Sequence, residues 1–196
     1  MKIIAFTFLL FSADQLSKMF VKGFSLPWLN INHNGFSPGD TTPLINNFFH
    51  ITLVENPGIA FGIIPGDVLK ELILILTIII CLALLGFLVF AKNAGTKVRF
   101  AVGLILAGAG GNLFDRIFYG YIYNYAPLFQ GHVVDFLDLK LFKIFLFGQI
   151  PGNYVFNFAD LSITLGIIVL ISLIMKAKKE ELALVRQFAK ERQDSY

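Results

Sequence analysis

The sequence predicts an all-α integral membrane protein: four transmembrane helices with a small extracytoplasmic β-sheet and an interfacial helix. Three observations lead there. The chain is 56% hydrophobic and only 15% charged, with a mean hydropathy of +0.72, too apolar for a water-soluble domain of 196 residues. Four apolar runs, about 3–21, 72–91, 100–117 and 156–175, each approach the ~20 residues that cross a ~30 Å hydrocarbon core. The charges, finally, are sorted by side. With both termini on one face, that face carries ten basic residues against four acids, and the other six against nine. The positive-inside rule then makes the termini and the 176–196 tail cytoplasmic and the 22–71 and 118–155 segments extracytoplasmic. The net charge of +3 and pI near 9.0 therefore report topology, and no nucleic-acid partner is expected. One membrane-embedded domain over 1–196 accounts for the whole chain.

The elements follow in order. Met1-Lys2 and the apolar Ile3 to Ser12 have the look of a secretory signal. Asp14-Gln15-Leu16-Ser17-Lys18 continues the helical pattern into Met19, Phe20 and Val21, so the segment is expected to stay as span one. Asp14 and Lys18 stand one helical turn apart and can pair. They serve either as an ion pair at the membrane interface or as support for a site.

Gly23 to Lys70 is dense in turn residues, and Phe48 to Val54 is aromatic and β-branched, which predicts a short strand. Trp28, with Phe24 and Leu26, suits the headgroup level. Asn56-Pro57-Gly58 is a tight turn followed by small residues. Span two is uniformly apolar, and Cys81, the sole cysteine, reads as a buried small residue with no disulfide partner.

Span three carries Gly103, Gly108, Gly110 and Gly111 among alanines, a surface for close helix packing. Asn112, Asp115 and Arg116 follow on one helical face. Phe118 to Gln130, with four tyrosines, reads as an outer loop. It leads to Gly131-His132-Val133-Val134-Asp135-Phe136-Leu137-Asp138, where Asp135 is expected to be the more enclosed of the two acids. His132 is read as a hydrogen-bonding spacer more readily than as a base. Lys140 to Asn153 is expected to lie along the interface. Asn157 and Asp160 open span four, and the charged tail after Met175 has the spacing of a short amphipathic helix on the cytoplasmic surface.

Two carboxylates in apolar surroundings, Asp135 and Asp160, are costly unless used. A pair sharing a site cannot ionise twice cheaply, which is how aspartic proteases divide the roles of base and acid over one water. No zinc-ligand cluster, serine elbow or phosphate loop competes, so neither metal nor cofactor is expected. A proton-coupled transporter or channel subunit is the alternative, since intramembrane acids mark ion paths. Against it, the ionisable groups collect at the outer ends of the spans and leave no polar route inward. A purely structural subunit would leave both aspartates unexplained.

Over nearly its whole length the chain resembles lipoprotein signal peptidase, or signal peptidase II. The matching segments are Asp14 to Lys18, Asn56 to Gly62, Gly110 to Arg116, Gly131 to Phe136 and Phe156 to Asp160. The resemblance implies an aspartyl endopeptidase of the bacterial inner membrane. It would cut diacylglyceryl-modified prolipoproteins before the lipidated cysteine, beside membrane lipid and under inhibition by globomycin. Asp135 and Asp160 match the family's catalytic pair, and Asp14, Lys18, Asn56, Gly111, Asn112, Arg116 and Asn157 its supporting and substrate-binding positions. The segments before Asn56, at 117–130 and at 139–154 are longer than the family's usual connections, which leaves the shape of the substrate entrance open.

Overall fold

The computed structural model describes residues 2–45, 48–58, 66–140 and 155–193. Among these residues, four helices are long and apolar enough to cross a bilayer: α1 (Lys2–Lys22), α2 (Asp67–Phe90), α3 (Thr96–Phe114) and α5 (Phe158–Gln193). Of the expected interfacial helix over Lys140 to Asn153, all but Lys140 lies outside the described residues.

Two helices run past their expected ends. α3 does not stop at Ile117: it continues through a π-helical turn, Asp115–Tyr119, into the short α4 (Gly120–Ile122), so the start of the supposed tyrosine loop is helical. A π turn inserts one residue into the ladder, a distortion that concentrates at functional sites. α5 is one unbroken helix through the tail, where a separate surface helix was expected. At ~1.5 Å per residue its 36 residues span about 54 Å, well beyond a ~30 Å core. Its start is also later than expected, because Phe156 belongs to a strand.

The helices pack through small residues. A Cβ on Gly108 of α3 would overlap the Ala159 carbonyl oxygen of α5 and come within 2.7 Å of Ile163. Only glycine lets the two backbones approach this closely. α2 rests on α3 and leaves most of its surface, including Leu72, Ile75, Leu76 and Ile79, exposed to the surroundings. Such a face is expensive in water and free in lipid.

Among the described residues, two antiparallel sheets lie in the connections. β1 (Phe24–Leu26) pairs with β2 (Ile31–His33), and β3 (Thr41–Ile45), β4 (Phe49–Asn56), β5 (Val133–Leu139) and β6 (Val155–Phe156) form a second sheet in that order. The "all-α" expectation thus holds for the spans, with β structure confined to the connections. The strand expected at Phe48 to Val54 is β4, which starts one residue later and ends two later, and the segment around Asp135, where no strand was expected, is β5. Both Asp138 and Asp135 are buried, at 0% and 4% exposure, so Asp138 and not Asp135 is the more enclosed. The core under the sheet gathers Val21, Leu53, Tyr119, Val134, Phe136 and Leu137.

Register decides what faces what. Ile51 opposes Leu137 while Val54 opposes Asp135, so β4 carries one extra residue across that step. This bulge brings Asn56, which opposes Val133, onto the face of Asp135.

Candidate active site

Asp160 is placed by the way α5 begins. Asn157 caps the helix, its Oδ1 accepting the Asp160 amide at 2.9 Å, while the Asp160 Oδ2 accepts the Asn157 amide at 3.1 Å. This reciprocal cap, a box with an acid at its third position, holds the carboxylate at the helix mouth. The second oxygen, Oδ1, accepts the Asn112 amide at 2.9 Å from α3.

β6 sets Asn157 beside β5, since Phe156 opposes Leu137 in the ladder. From there the Asn157 Nδ2 donates to Asp135 Oδ1 at 2.7 Å, to Asn112 Oδ1 at 3.0 Å and, more weakly, to the Val134 carbonyl at 3.3 Å. Asn56 donates to the other Asp135 oxygen at 3.2 Å. Each of the four carboxylate oxygens therefore accepts an amide, and Asn157 touches both acids. Burial, then the charge of Asp160, raises the Asp135 carboxyl from its ordinary 3.8 to about 7, against the lowering effect of Asn56, Lys18 and Asn157. Such a group is poised to hold or release a proton near neutral pH.

A charged layer lies beneath. Lys18, with no exposure, spends its three protons on Asp14 at 2.8 Å, Asp115 at 2.8 Å and Asn112 Oδ1 at 3.0 Å. Through Asn112, which donates to Asp160, the Asp14 and Lys18 pair is joined to the carboxylates above it. Asp14 also accepts the Ala159 amide at 2.9 Å, tying α1 to the first turn of α5. Gly111 is required because a Cβ there would overlap the Asp14 carboxylate. Arg116, half-buried on the π turn, feels the charges of Asp115, Asp135 and Asp160.

All nine residues singled out in the sequence thus meet in one place. Two others belong with them. Asp115 also accepts the Val134 amide at 3.3 Å, next to Asp135, and Gln15 bridges Asp14, the Gly111 carbonyl and Asp115 while accepting from the Tyr119 hydroxyl at 3.1 Å. The signal for Asp115 was available: it stands three residues after Asn112 on the same helix face. His132 pairs with Glu55 at 3.7 Å and its amide donates to the Tyr125 hydroxyl at 2.7 Å, away from both acids. Among the described residues no cluster of His, Cys, Asp or Glu could hold a metal ion.

Residues 6–176 match the family model described as signal peptidase (SPase) II. The chain belongs to the signal peptidase II family. Signal peptidase II enzymes are aspartic-type membrane peptidases, and this chain is one. Its relatives include the lipoprotein signal peptidases of Moorella thermoacetica, 31% identical over 83% of this chain and 85% of that one, and Acaryochloris marina, 36% identical over 81% and 79%. Its fold is similar to that of a bacterial membrane enzyme solved in meso at 2.3 Å, with a TM-score of 0.66 and 29% identity over 91% of this chain and 90% of the other. A second such structure, at 1.9 Å, gives a TM-score of 0.63 and 30% identity over 89% and 93%.

Proposed function

We propose that this signal peptidase II removes the signal peptide from diacylglyceryl-modified prolipoproteins, cutting before the lipidated cysteine, with Asp135 and Asp160 as the catalytic pair. The observation that carries the assignment is Asn157, whose side chain holds Asp135 and whose backbone and side chain hold Asp160. In the resting pair one carboxyl keeps a proton. The ionised member takes a proton from water as that water attacks the scissile carbonyl, and the protonated member donates a hydrogen bond to the developing oxyanion. On collapse the leaving nitrogen receives a proton from the pair, and the C–N bond breaks with no covalent enzyme intermediate. Asn56, Asn112 and Asn157 orient the carboxyls, while Asp14, Lys18, Gly111 and Arg116 hold the support beneath them.

The substrate reaches the site from surrounding membrane lipid. The charge sorting supports a bacterial inner-membrane location with cytoplasmic termini and a site near the outer face. Against the transporter reading, the Lys18 cluster has each ammonium proton committed to a partner. The test is incubation of the purified protein with a diacylglyceryl-modified precursor, with and without globomycin. Cleavage before the modified cysteine, blocked by globomycin, is expected. Asp135→Asn and Asp160→Asn should each lower the rate by at least ~10³-fold, an extent in line with loss of acid–base catalysis. Wild-type rates in either variant would remove the pair from the mechanism.

A further inference from the structure

Between α1 and β3 stands a hairpin that the hydrolytic chemistry does not use. Its base is clamped to the last turn of α1. The Phe36 amide donates to the Val21 carbonyl at 2.7 Å, the His33 Nε2 lies 2.7 Å from the Phe20 carbonyl, and the His33 ring stacks on Phe20 with centroids 4.7 Å apart. Gly23, at φ +92°, crosses Gly35 so closely that a Cβ on Gly23 would lie 2.6 Å from the Gly35 amide nitrogen. The hairpin therefore leaves the helix as a fixed extension of it.

Its tip is a 3₁₀ turn, Pro27–Leu29, closed by Asn30 in the left-handed region at φ 54°. Trp28 is 77% exposed there, Leu29 50% and Ile31 45%. No Asp, Glu, Lys or Arg occurs from Gly23 to Gly39. Trp28 lies six residues beyond Lys22, the last residue of α1, a reach of at most ~22 Å. The headgroup layer is ~5–8 Å deep on each side of the hydrocarbon. An uncharged, Trp-tipped hairpin so close to the end of a spanning helix has one natural neighbour, since indole rings collect at that level.

We propose that the 24–33 hairpin is a lipid-surface anchor whose Trp28, Leu29 and Ile31 enter the leaflet in which α1 ends, fixing the depth of the strands that carry Asp135. The base connects to the turn after α4 and to β4, the strand paired with β5. Tyr123 donates its hydroxyl to the Gly23 carbonyl at 2.9 Å, and Lys22 pairs with Glu55, the residue before Asn56. Because the hairpin is uncharged, the partner is a neutral lipid surface and the contact does not depend on anionic lipid. The insertion rests on α1 crossing the bilayer, and only the depth-setting role rests on the peptidase reading.

Trp28 is the only tryptophan, so its fluorescence reports the tip alone. The full-length protein is reconstituted in phosphatidylcholine vesicles, once with plain lipid and once with lipid brominated near the top of the acyl chain. Insertion predicts that brominated lipid quenches the emission at least twofold and that aqueous iodide hardly does. Quenching by iodide and not by bromine would place the tip in water, and quenching by neither would bury it in a protein contact; each outcome overturns the anchor. Trp28→Ser should slow cleavage of a vesicle-embedded precursor at least fivefold while leaving the rate in detergent micelles unchanged. Equal rates in vesicles would overturn the depth-setting role and leave the quenching result to stand by itself.

Discussion

At Asp135 the fold raises the carboxyl from 3.8 to about 7, and the sign of the consequence for stability follows. Between those values the folded chain keeps a proton that the unfolded chain has lost. Stability therefore falls as the pH rises through that window and stays lower above it. Replacing Asp135 by Asn removes the ionisation and with it a penalty of up to about 4 kcal/mol. Asp135→Asn should thus melt higher than the parent at pH 8, with the gap closing towards pH 4, in thermal unfolding followed at several pH values. A variant less stable than the parent at pH 8 would contradict the burial of the charge. Asp135 and Asp160 were legible as carboxylates in apolar sequence, whereas Asn56, Asp14 and Lys18 look like a turn and an ion pair and were assigned only through the family resemblance. Gln15 was not read as a site residue: an amide on a helix gives no sign of which three groups it will bridge.

Among the elements, α3 and α5 meet at Gly108, where an added methyl strikes the Ala159 backbone next to Asp160. Backbone cannot rotate aside as a side chain can. Gly108→Ala should therefore cost about 1–3 kcal/mol of stability and slow cleavage by more than ~10-fold, because a shift of about 1 Å in a catalytic group has that order of effect. Gly110→Ala is the matched control, since its Cβ would meet only Phe11 at 3.8 Å, an ordinary contact, and should leave both quantities near the parent's. Parallel melting and rate measurements on the two variants decide it. The spans were legible from hydropathy, but β5 was not. A strand with one wet face alternates, whereas Val133 to Phe136 are buried on both faces and read as a featureless run with one acid in it. The helical turns beyond Ile117 escaped for the opposite reason: Phe118 to Ile122 is rich in aromatic residues, including the fully buried Tyr119, and such composition resembles a loop.

For the whole molecule, orientation is the property most open to direct test. A reporter fused after Met175 should register cytoplasm, and one inserted at Gly39 the opposite side; the reverse pattern would put the site on the wrong face for exported substrates. The long-range ties also set an order of assembly. Asp14 accepts the Ala159 amide, a contact between residues 145 positions apart, and Asp160 enters only with the last helix. A nascent chain thus carries Asp14 before its partner in α5 exists, and Asp135 before Asn157 and Asp160 are made. If Asp135 and Asp160 form the proposed pair, the enzyme cannot act while it is still being made: competence arrives in one step, when α5 docks and its first turn completes both the cap and the pair.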